Sequence, residues 1–432
     1  MAFGGMAISS YAQELLPALD GYPFKLVPKE TIRIGIVGVG GMGTSHVYNF
    51  IKIKGCEIVA VCDIIKSRAE RSKKIVEEAG FKAPKCYSRG EHDYKRMCKR
   101  DDIDLVFIAT PWKWHVPMAV EAMNNGKHAA TEVPAAITIE ECWQLVETSE
   151  RTGKHCIMME NCNYDREEMM ILNMVKKGVL GEILHAECGY LHDLRAVKYD
   201  MNGEGVWRRD HSIKRNGDLY PTHGLGPVAQ CLDINRGNQF DYLVSFGTKT
   251  RGLHLYAEKV YGADSPEAHE KFLLSDIVTS LIRTKNGETI VLTHDTNNPR
   301  PYSRDILIQG TNGIVRKYPV PRIYIEDRSP AHRWEDFENY KDEFYHPLWK
   351  QKETDAEGTG HGGMDFIEDY RLINALLKGI EPDMDVYDAV ALSCVSELSE
   401  KSISSGNFPM KFPDFTRGMW KTKRTLPVME IT

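Results

Sequence analysis

Between residues 31 and 160 the chain alternates short apolar or β-branched runs with longer amphipathic stretches. The runs fall at 32–37, 57–62, 105–109, 128–131 and 156–159, and the amphipathic stretches at 42–53, 65–79, 116–125 and 139–152. Strands with no polar alternation are buried on both faces, as happens when helices cover both sides of a parallel sheet. The pattern therefore predicts an α/β domain with a parallel, doubly wound sheet over residues 31–163, preceded by an N-terminal arm of residues 1–30.

After about Tyr164 the rhythm changes. A helix over 167–177 stops at Gly178, and strands are expected at 182–191, 242–249, 276–284, 289–295, 305–309 and 313–317. Asn286-Gly287 between two of these is a hairpin turn signal, because both residues tolerate the positive φ of a tight turn. This reads as an α+β domain over residues 164–432, with a large, mostly antiparallel open sheet and helices on one face. Helices at 363–378 and 386–404 should pack back onto this second domain or the seam between the two. The stretch 319–355, rich in Pro, aromatic and charged residues, reads as a long excursion, and no repeat or low-complexity segment is visible.

Composition narrows the partners. The 432 residues carry 55 Lys plus Arg against 61 Asp plus Glu, a net charge of -6, so there is no basic footprint for nucleic acid. No apolar run approaches the ~20 residues of a membrane-spanning helix. The ten cysteines include no CxxC pair and no histidine at zinc spacing, which predicts scattered reduced thiols in or near the core and no metal site. The first 30 residues lack a basic segment followed by a long apolar run, so the compartment stays open.

Candidate chemistry begins at Gly38-Val39-Gly40-Gly41-Met42-Gly43, which follows the first strand and opens a helix. Glycines in that context let the backbone approach a pyrophosphate resting on a helix N-terminus, the arrangement of a Rossmann domain. Asp63 ends the second strand, 20 residues after Gly43, where an acid can bind ribose hydroxyls. Its charge repels a 2′-phosphate, favouring NAD over NADP, with Arg68 nearby as the opposing feature. At the carboxyl ends of the next strands stand Thr110-Pro111-Trp112-Lys113-Trp114-His115 and Thr131-Glu132-Val133-Pro134. Open α/β sheets bind ligands at that edge, and the lesser alternative for the first segment is a loop of buried tryptophans.

This ordered set resembles the Gfo/Idh/MocA oxidoreductases over about residues 31–400. Dehydrogenases of that family carry Glu-Lys-Pro and, later, Asp-x-Gly-x-His. Here the lysine position is Val133, and Leu219-Tyr220-Pro221-Thr222-His223 keeps only the histidine of the second element. A more specific match accommodates both departures. Trp112-Lys113-Trp114-His115, Glu132-Val133, His192-Asp193-Leu194-Arg195, Tyr220-Pro221-Thr222-His223, Thr293-His294-Asp295 and Gly360-His361-Gly362-Gly363-Met364-Asp365 together resemble glycoside hydrolase family 109. That branch contains NAD-dependent α-N-acetylgalactosaminidases.

The resemblance implies cleavage of terminal α-N-acetylgalactosamine from glycans by oxidation at C3, elimination, water addition and re-reduction. It places cofactor contacts at Gly38, Gly40, Gly41, Met42, Gly43, Asp63, Trp112, Trp114, His115, Glu132, Val133 and Asn161. Sugar contacts fall at Tyr190, Arg208, Tyr220, His223 and Tyr302, and His192, Asp193 and His361 are further candidates to line the cavity. His223 is the first choice for acid/base work because imidazole titrates near neutral pH, and Tyr220 is the second. Each has a bland alternative: a hydrogen bond inside a helix start for His223, a half-buried aromatic for Tyr220, a surface ion pair for Arg208 and a strand-end cap for Glu132. Rival functions are an ordinary NAD-dependent sugar dehydrogenase relying on His223, and a nucleotide-binding regulator. The resemblance also implies a homodimer through the exposed sheet and export through a twin-arginine signal.

Overall fold

A computed structural model describes Phe24 and residues 26–431, so most of the expected N-terminal arm, residues 1–23, lies outside the described residues. The first sheet has six strands: β1 (Ile32–Val37), β2 (Cys56–Cys62), β3 (Lys85–Tyr87), β4 (Leu105–Ile108), β5 (His128–Thr131) and β6 (Cys156–Met158). Their order is β3-β2-β1-β4-β5-β6, and every pair is parallel. The central strand β4 is buried at every position, as an uninterrupted apolar run demands. Helices Gly41–Phe50, Lys66–Glu78, His115–Asn124 and Ile139–Thr152 connect the strands. Thr138 opens the last of these by accepting the Glu141 N–H at 3.1 Å, satisfying a donor the helix cannot. Two elements of this domain escaped the sequence reading, β3 and the helix Tyr94–Cys98. At three and five residues they are too short to show a period.

The second sheet has nine strands. They are β7 (Ile183–Leu191), β8 (Phe240–Gly247), β9 (Ile277–Thr284), β10 (Thr289–Asp295), β11 (Leu307–Gly310), β12 (Gly313–Arg316), β13 (Arg322–Ile325), β14 (Glu335–Asp336) and β15 (Met410–Lys411). The order is β14-β13-β12-β11-β7-β10-β9-β8-β15, with β7 and β10 parallel and the other neighbours antiparallel. Asn286-Gly287 sits in the β9–β10 hairpin, where Gly287 has φ +109°. Along β9 the residues Val278, Ser280 and Ile282 are buried while Leu281 is exposed, so one face is covered and the other is open. The helix Val395–Ser404 packs on the covered face of β8.

Two expectations need correction. The stretch 319–355 is structured: β13 extends the meander from β12, pairing Tyr324 with Ile314, and helices Lys341–Phe344 and Pro347–Ala356 follow. Pro319 and Pro321 hid the strand, and Pro347, at a helix's first turn where its missing N–H costs nothing, hid the second helix. The expected helix 386–404 is two, Val386–Ser393 and Val395–Ser404, divided at Cys394. Both late packing sites expected are used: Val395–Ser404 covers the second sheet, and the two helices before it take the seam. Helix Met364–Lys378 lies against Gly41–Phe50, and Val386–Ser393 lies against Ile139–Thr152 and β6. Buried side chains of both sheets form one contiguous cluster. All ten cysteines are free; nine are buried and Cys86 is half-buried. Among the described residues no helix is long and apolar enough to cross a membrane.

Candidate active site

The turn after β1 is built by close approach. Gly38 has φ +81°, and a Cβ there would stand 2.4 Å from the Ala109 carbonyl oxygen. A Cβ at Gly43 would stand 1.9 Å from the Gly38 carbonyl oxygen. Gly40 and Gly41 differ: the nearest atom to a Cβ at Gly40 is an Arg68 guanidinium nitrogen at 3.8 Å, and nothing lies within 4 Å at Gly41. So the outer glycines press turn, strand and helix together, and the middle ones open onto a cleft of about 430 Å³. The free N–H groups of the helix Gly41–Phe50 start there, which suits a pyrophosphate.

Asp63 lines the same cleft. Its Oδ2 accepts the Val39 N–H at 3.0 Å and its Oδ1 the Ile65 N–H at 2.8 Å. These bonds fix the carboxylate and leave each oxygen capacity for a ribose hydroxyl. Met42, Arg68 and Trp114 complete this wall, while Asn202, Gly203, Glu204 and Trp207 of the second domain close the other side. The residues present therefore fit a dinucleotide. Asn202 and Gly203 carried no signal in the sequence.

The strand-end loops divide their work. Trp114 packs edge-on against His92 and Tyr94 beside the cleft. Trp112 points away, to Trp207 at 4.8 Å, His211 at 4.9 Å and Tyr220 at 5.6 Å between ring centroids. Of the two readings of this segment, the buried-tryptophan one describes Trp112, which is buried, faces the second domain and does not line the cleft expected to hold the cofactor. His115 is a brace: its imidazole is fully buried, with Nδ1 2.8 Å from the Pro134 carbonyl oxygen and Nε2 2.7 Å from that of Thr110. It ties the two loops and does not line the cleft.

Behind Glu132 lies a chain of charge. Glu132 Oε1 is 2.7 Å from His46 Nε2, and His46 Nδ1 is 2.8 Å from Asp369 Oδ2, which also accepts an Asn49 amide hydrogen at 2.9 Å. Burial pulls the His46 imidazole down, but Asp369 and Glu132 outweigh it and hold the ring well above its ordinary range. Asn161 donates to Asp365 at 2.7 Å, and Asp365 also meets His361 Nδ1 at 2.8 Å. Val133 is buried beside this chain at 3% exposure. His46 and Asp369 were missed; the visible hints were a histidine three residues after Gly43 and two acids, Asp365 and Asp369, one helical turn apart.

Across the cleft the five expected sugar residues come together from separate elements. Tyr190 ends β7, Arg208 sits on the helix Gly205–Lys214, and Tyr220 and His223 flank the start of the helix Thr222–Cys231. Ring centroids lie 4.6 Å apart for Tyr190 and Tyr220, 4.8 Å for Tyr220 and His223, 5.4 Å for Tyr190 and His223, and 6.3 Å for Tyr190 and Tyr302. His192 Nδ1 meets the Tyr190 hydroxyl at 2.9 Å, and the ring of His192 stands 5.0 Å from Tyr302. Arg208 lies over Trp207 at 4.6 Å and pairs with Glu204 at 2.8 Å, so it is both an ion pair and part of an aromatic wall. Asp193 is occupied by Arg195 at 2.7 Å.

Electrostatics separates the candidate bases. Burial pushes the Tyr190 phenol up to about 12 and the Tyr220 phenol well above its ordinary range, so neither ionises near neutral pH. His223 Nδ1 lies 2.7 Å from Oε1 of the fully buried Glu160. Glu160 was not anticipated, although an acid directly after the last parallel strand was there to be read. The Asp missing at Leu219 has no substitute in Asp218. That carboxyl is turned into the core, accepts the Tyr220 N–H at 3.1 Å, and is pushed up to about 7 by burial.

Residues 164–422 match the model of the glycosyl hydrolase 109 C-terminal domain. A glycosyl hydrolase family 109 protein of Solibacter usitatus is 47% identical over 94% of this chain and 93% of its own length. The chain belongs to glycosyl hydrolase family 109. Residues 32–160 of this family 109 chain match the oxidoreductase family with an NAD-binding Rossmann fold. A Shewanella oneidensis relative named alpha-N-acetylgalactosaminidase is 45% identical over 94% of this chain and 89% of its own. Among solved structures, levoglucosan dehydrogenase in complex with NADH and levoglucosan superposes with a TM-score of 0.69 at 20% identity, over 89% of this chain and all of that one. An inositol dehydrogenase homologue complexed with NAD⁺ from Azotobacter vinelandii gives 0.66 at 18% identity, over 90% of this chain and 100% of its own. These two show the fold. The family 109 chain is thus a glycoside hydrolase with NAD as its cofactor, on the Gfo/Idh/MocA two-domain fold.

Proposed function

We propose that the protein hydrolyses terminal α-linked N-acetylgalactosamine with no net redox change. The observation that carries this reading is the cage of Tyr190, Tyr220 and Tyr302 around a carboxylate-bound His223, opposite the dinucleotide cradle. The name of the Shewanella oneidensis relative supports the choice of sugar. Bound NAD supplies a hydride acceptor for C3 of the sugar and returns the hydride there at the end of the cycle.

The chain's own residues then have proton and positioning work. With C3 a ketone, its hydroxyl proton released to solvent until the re-reduction, the C2 proton is acidic; His223 Nε2 takes it while the C1–O bond breaks and the aglycone leaves with a proton drawn from solvent, which the adding water restores. Water adds at C1 and His223 returns a proton to C2, so the base ends the cycle as it began. Trp207 and Arg208 present an indole face and a charged donor, which suits a sugar ring and its acetamido oxygen. The phenols of Tyr190 and Tyr220, kept protonated by burial, donate hydrogen bonds to sugar oxygens.

The test is release of nitrophenol from a chromogenic α-N-acetylgalactosaminide without accumulation of NADH, in D₂O. The expected product carries deuterium at C2; unlabelled product, with no isotope effect from C2-deuterated substrate, overturns the elimination route. Net NADH formation from free sugars would instead mark a sugar dehydrogenase.

We propose also that two copies pair through the open face of the second sheet, where Tyr242, Phe246 and Leu281 are exposed and share one side. A monomer in sedimentation at micromolar concentration overturns that.

A further inference from the structure

Glu160 is the least economical residue near the cage. It follows β6, its side chain is fully buried, and Oε1 takes both the His223 ring nitrogen at 2.7 Å and the Cys162 N–H at 3.1 Å. Its Oε2 is buried with no hydrogen-bond partner. Two glycines lower the helix carrying His223 onto it. A Cβ at Gly226 would stand 2.9 Å from Glu160 Cγ, and one at Gly224 would stand 2.4 Å from the Gly189 nitrogen of β7. A bulkier residue at either position would lift His223 away.

A buried carboxylate with one free oxygen is costly to keep. A neutral glutamine would fill the same space and accept the same bond, so the charge calls for a reason. The nearest cation behind it, Arg304, lies 3.4 Å from Cys162 Sγ but is committed to Asp165 and Glu168. On the cage side the groups around His223 are Tyr190 of β7, His192 just after it, Tyr220, and Arg208 beyond it. None of these offers His223 a negative charge near neutral pH. Burial alone would drive Glu160 up, but His223 holds it below the usual carboxylate range.

We infer that Glu160 is the positioning residue of His223: it accepts the Nδ1 proton, leaves Nε2 as the basic nitrogen, and holds the imidazolium that forms when Nε2 takes a proton. This rests on the reading of His223 as the base, and it adds a dyad whose members lie 63 residues apart. Proton balance is simple: the proton on Nδ1 stays with the ring, and the substrate proton arrives at Nε2 and leaves from it.

The first test needs no turnover. In the NAD-loaded protein labelled with ¹⁵N-histidine, one imidazole should show a protonated Nδ1, an unprotonated Nε2 and a strongly deshielded Nδ1–H, all absent from His223→Ala. The opposite tautomer overturns the proposal even if Glu160 variants fail to fold. The second test uses Glu160→Gln, which should lose the deshielded signal and lower kcat by ~10²-fold or more with KM little changed. In the His223→Ala background the same substitution should add no further loss. Losses that multiply, or an unchanged kcat in a folded, NAD-binding variant, overturn the proposal. A wild-type protein that cleaves no glycoside but shows the Nδ1–H tautomer would sink the proposed function and leave the dyad standing.

Discussion

The two sides of the cleft are made of different material. The cofactor side is largely backbone: a glycine turn, the first N–H groups of a helix and the ends of parallel strands, with Asp63 fixed by two main-chain bonds. The side proposed for the sugar is largely side chain, with Tyr190, Arg208, Tyr220, His223 and Tyr302 arriving from different elements of the second domain and Glu160 from the first. A backbone site is set by local geometry and fails where a Cβ intrudes. A side-chain site is set by packing between distant segments and fails one function at a time.

The largest effect should come from Gly43→Val. A Cβ at that position lands 1.9 Å from the Gly38 carbonyl oxygen, which no side-chain rotation relieves. Loss of NAD binding and of turnover together is expected, measured by calorimetric titration and nitrophenol release. His223→Ala should do the opposite on the other side of the cleft. Turnover should fall by ~10²–10⁴-fold with NAD affinity unchanged, because nothing in the cradle touches His223. Near wild-type turnover in that variant would move the base elsewhere in the cage.

The same contrast decides what could be read in advance. Strands β1, β5 and β10 and the helix Ile139–Thr152 begin and end where the hydrophobic pattern puts them, since period and capping are local properties. Gly38 to Gly43 and Asp63 were legible for the same reason. The pairs Glu132–His46, His46–Asp369 and His223–Glu160 were not: their members are 86, 323 and 63 residues apart, and no periodicity links them. The sugar residues were named through resemblance to a family, and it took the fold to put Tyr302 beside Tyr190. β3 stayed hidden because three residues carry no period, and β13 because two prolines precede it.

Between the two sides runs the seam, and His46 tests it. Its ring is sandwiched by Asp369, fully buried, and Glu132. Removing a buried partner leaves an uncompensated charge, so His46→Ala should cost about 3 kcal/mol of stability in urea unfolding. His46→Ala with Asp369→Asn should recover part of the stability. Equal stability of the single variant and the wild type would mean that the chain of charge is not holding the late helix in place.

The smallest effect sharpens the sugar side from beneath. Asp218 accepts the Tyr220 N–H and is buried, with a carboxyl pushed up to about 7, against ~3.9 in an unfolded chain. Between those values the native state holds a proton that the unfolded state has released, so stability falls as pH rises through the window. Asp218→Asn keeps the shape and the acceptor oxygen without the proton. Variant and wild type should therefore melt alike near the acid end, with a gap of about 1–3 kcal/mol opening in favour of the variant and levelling off above neutrality. Activity should change little, because Asp218 faces the core and not the cage. A gap that is flat with pH would show that the carboxyl is ionised in the folded protein. A fall in kcat would show that the loop under Tyr220 needs that charge, and the two sides of the cleft would then differ less than their construction suggests.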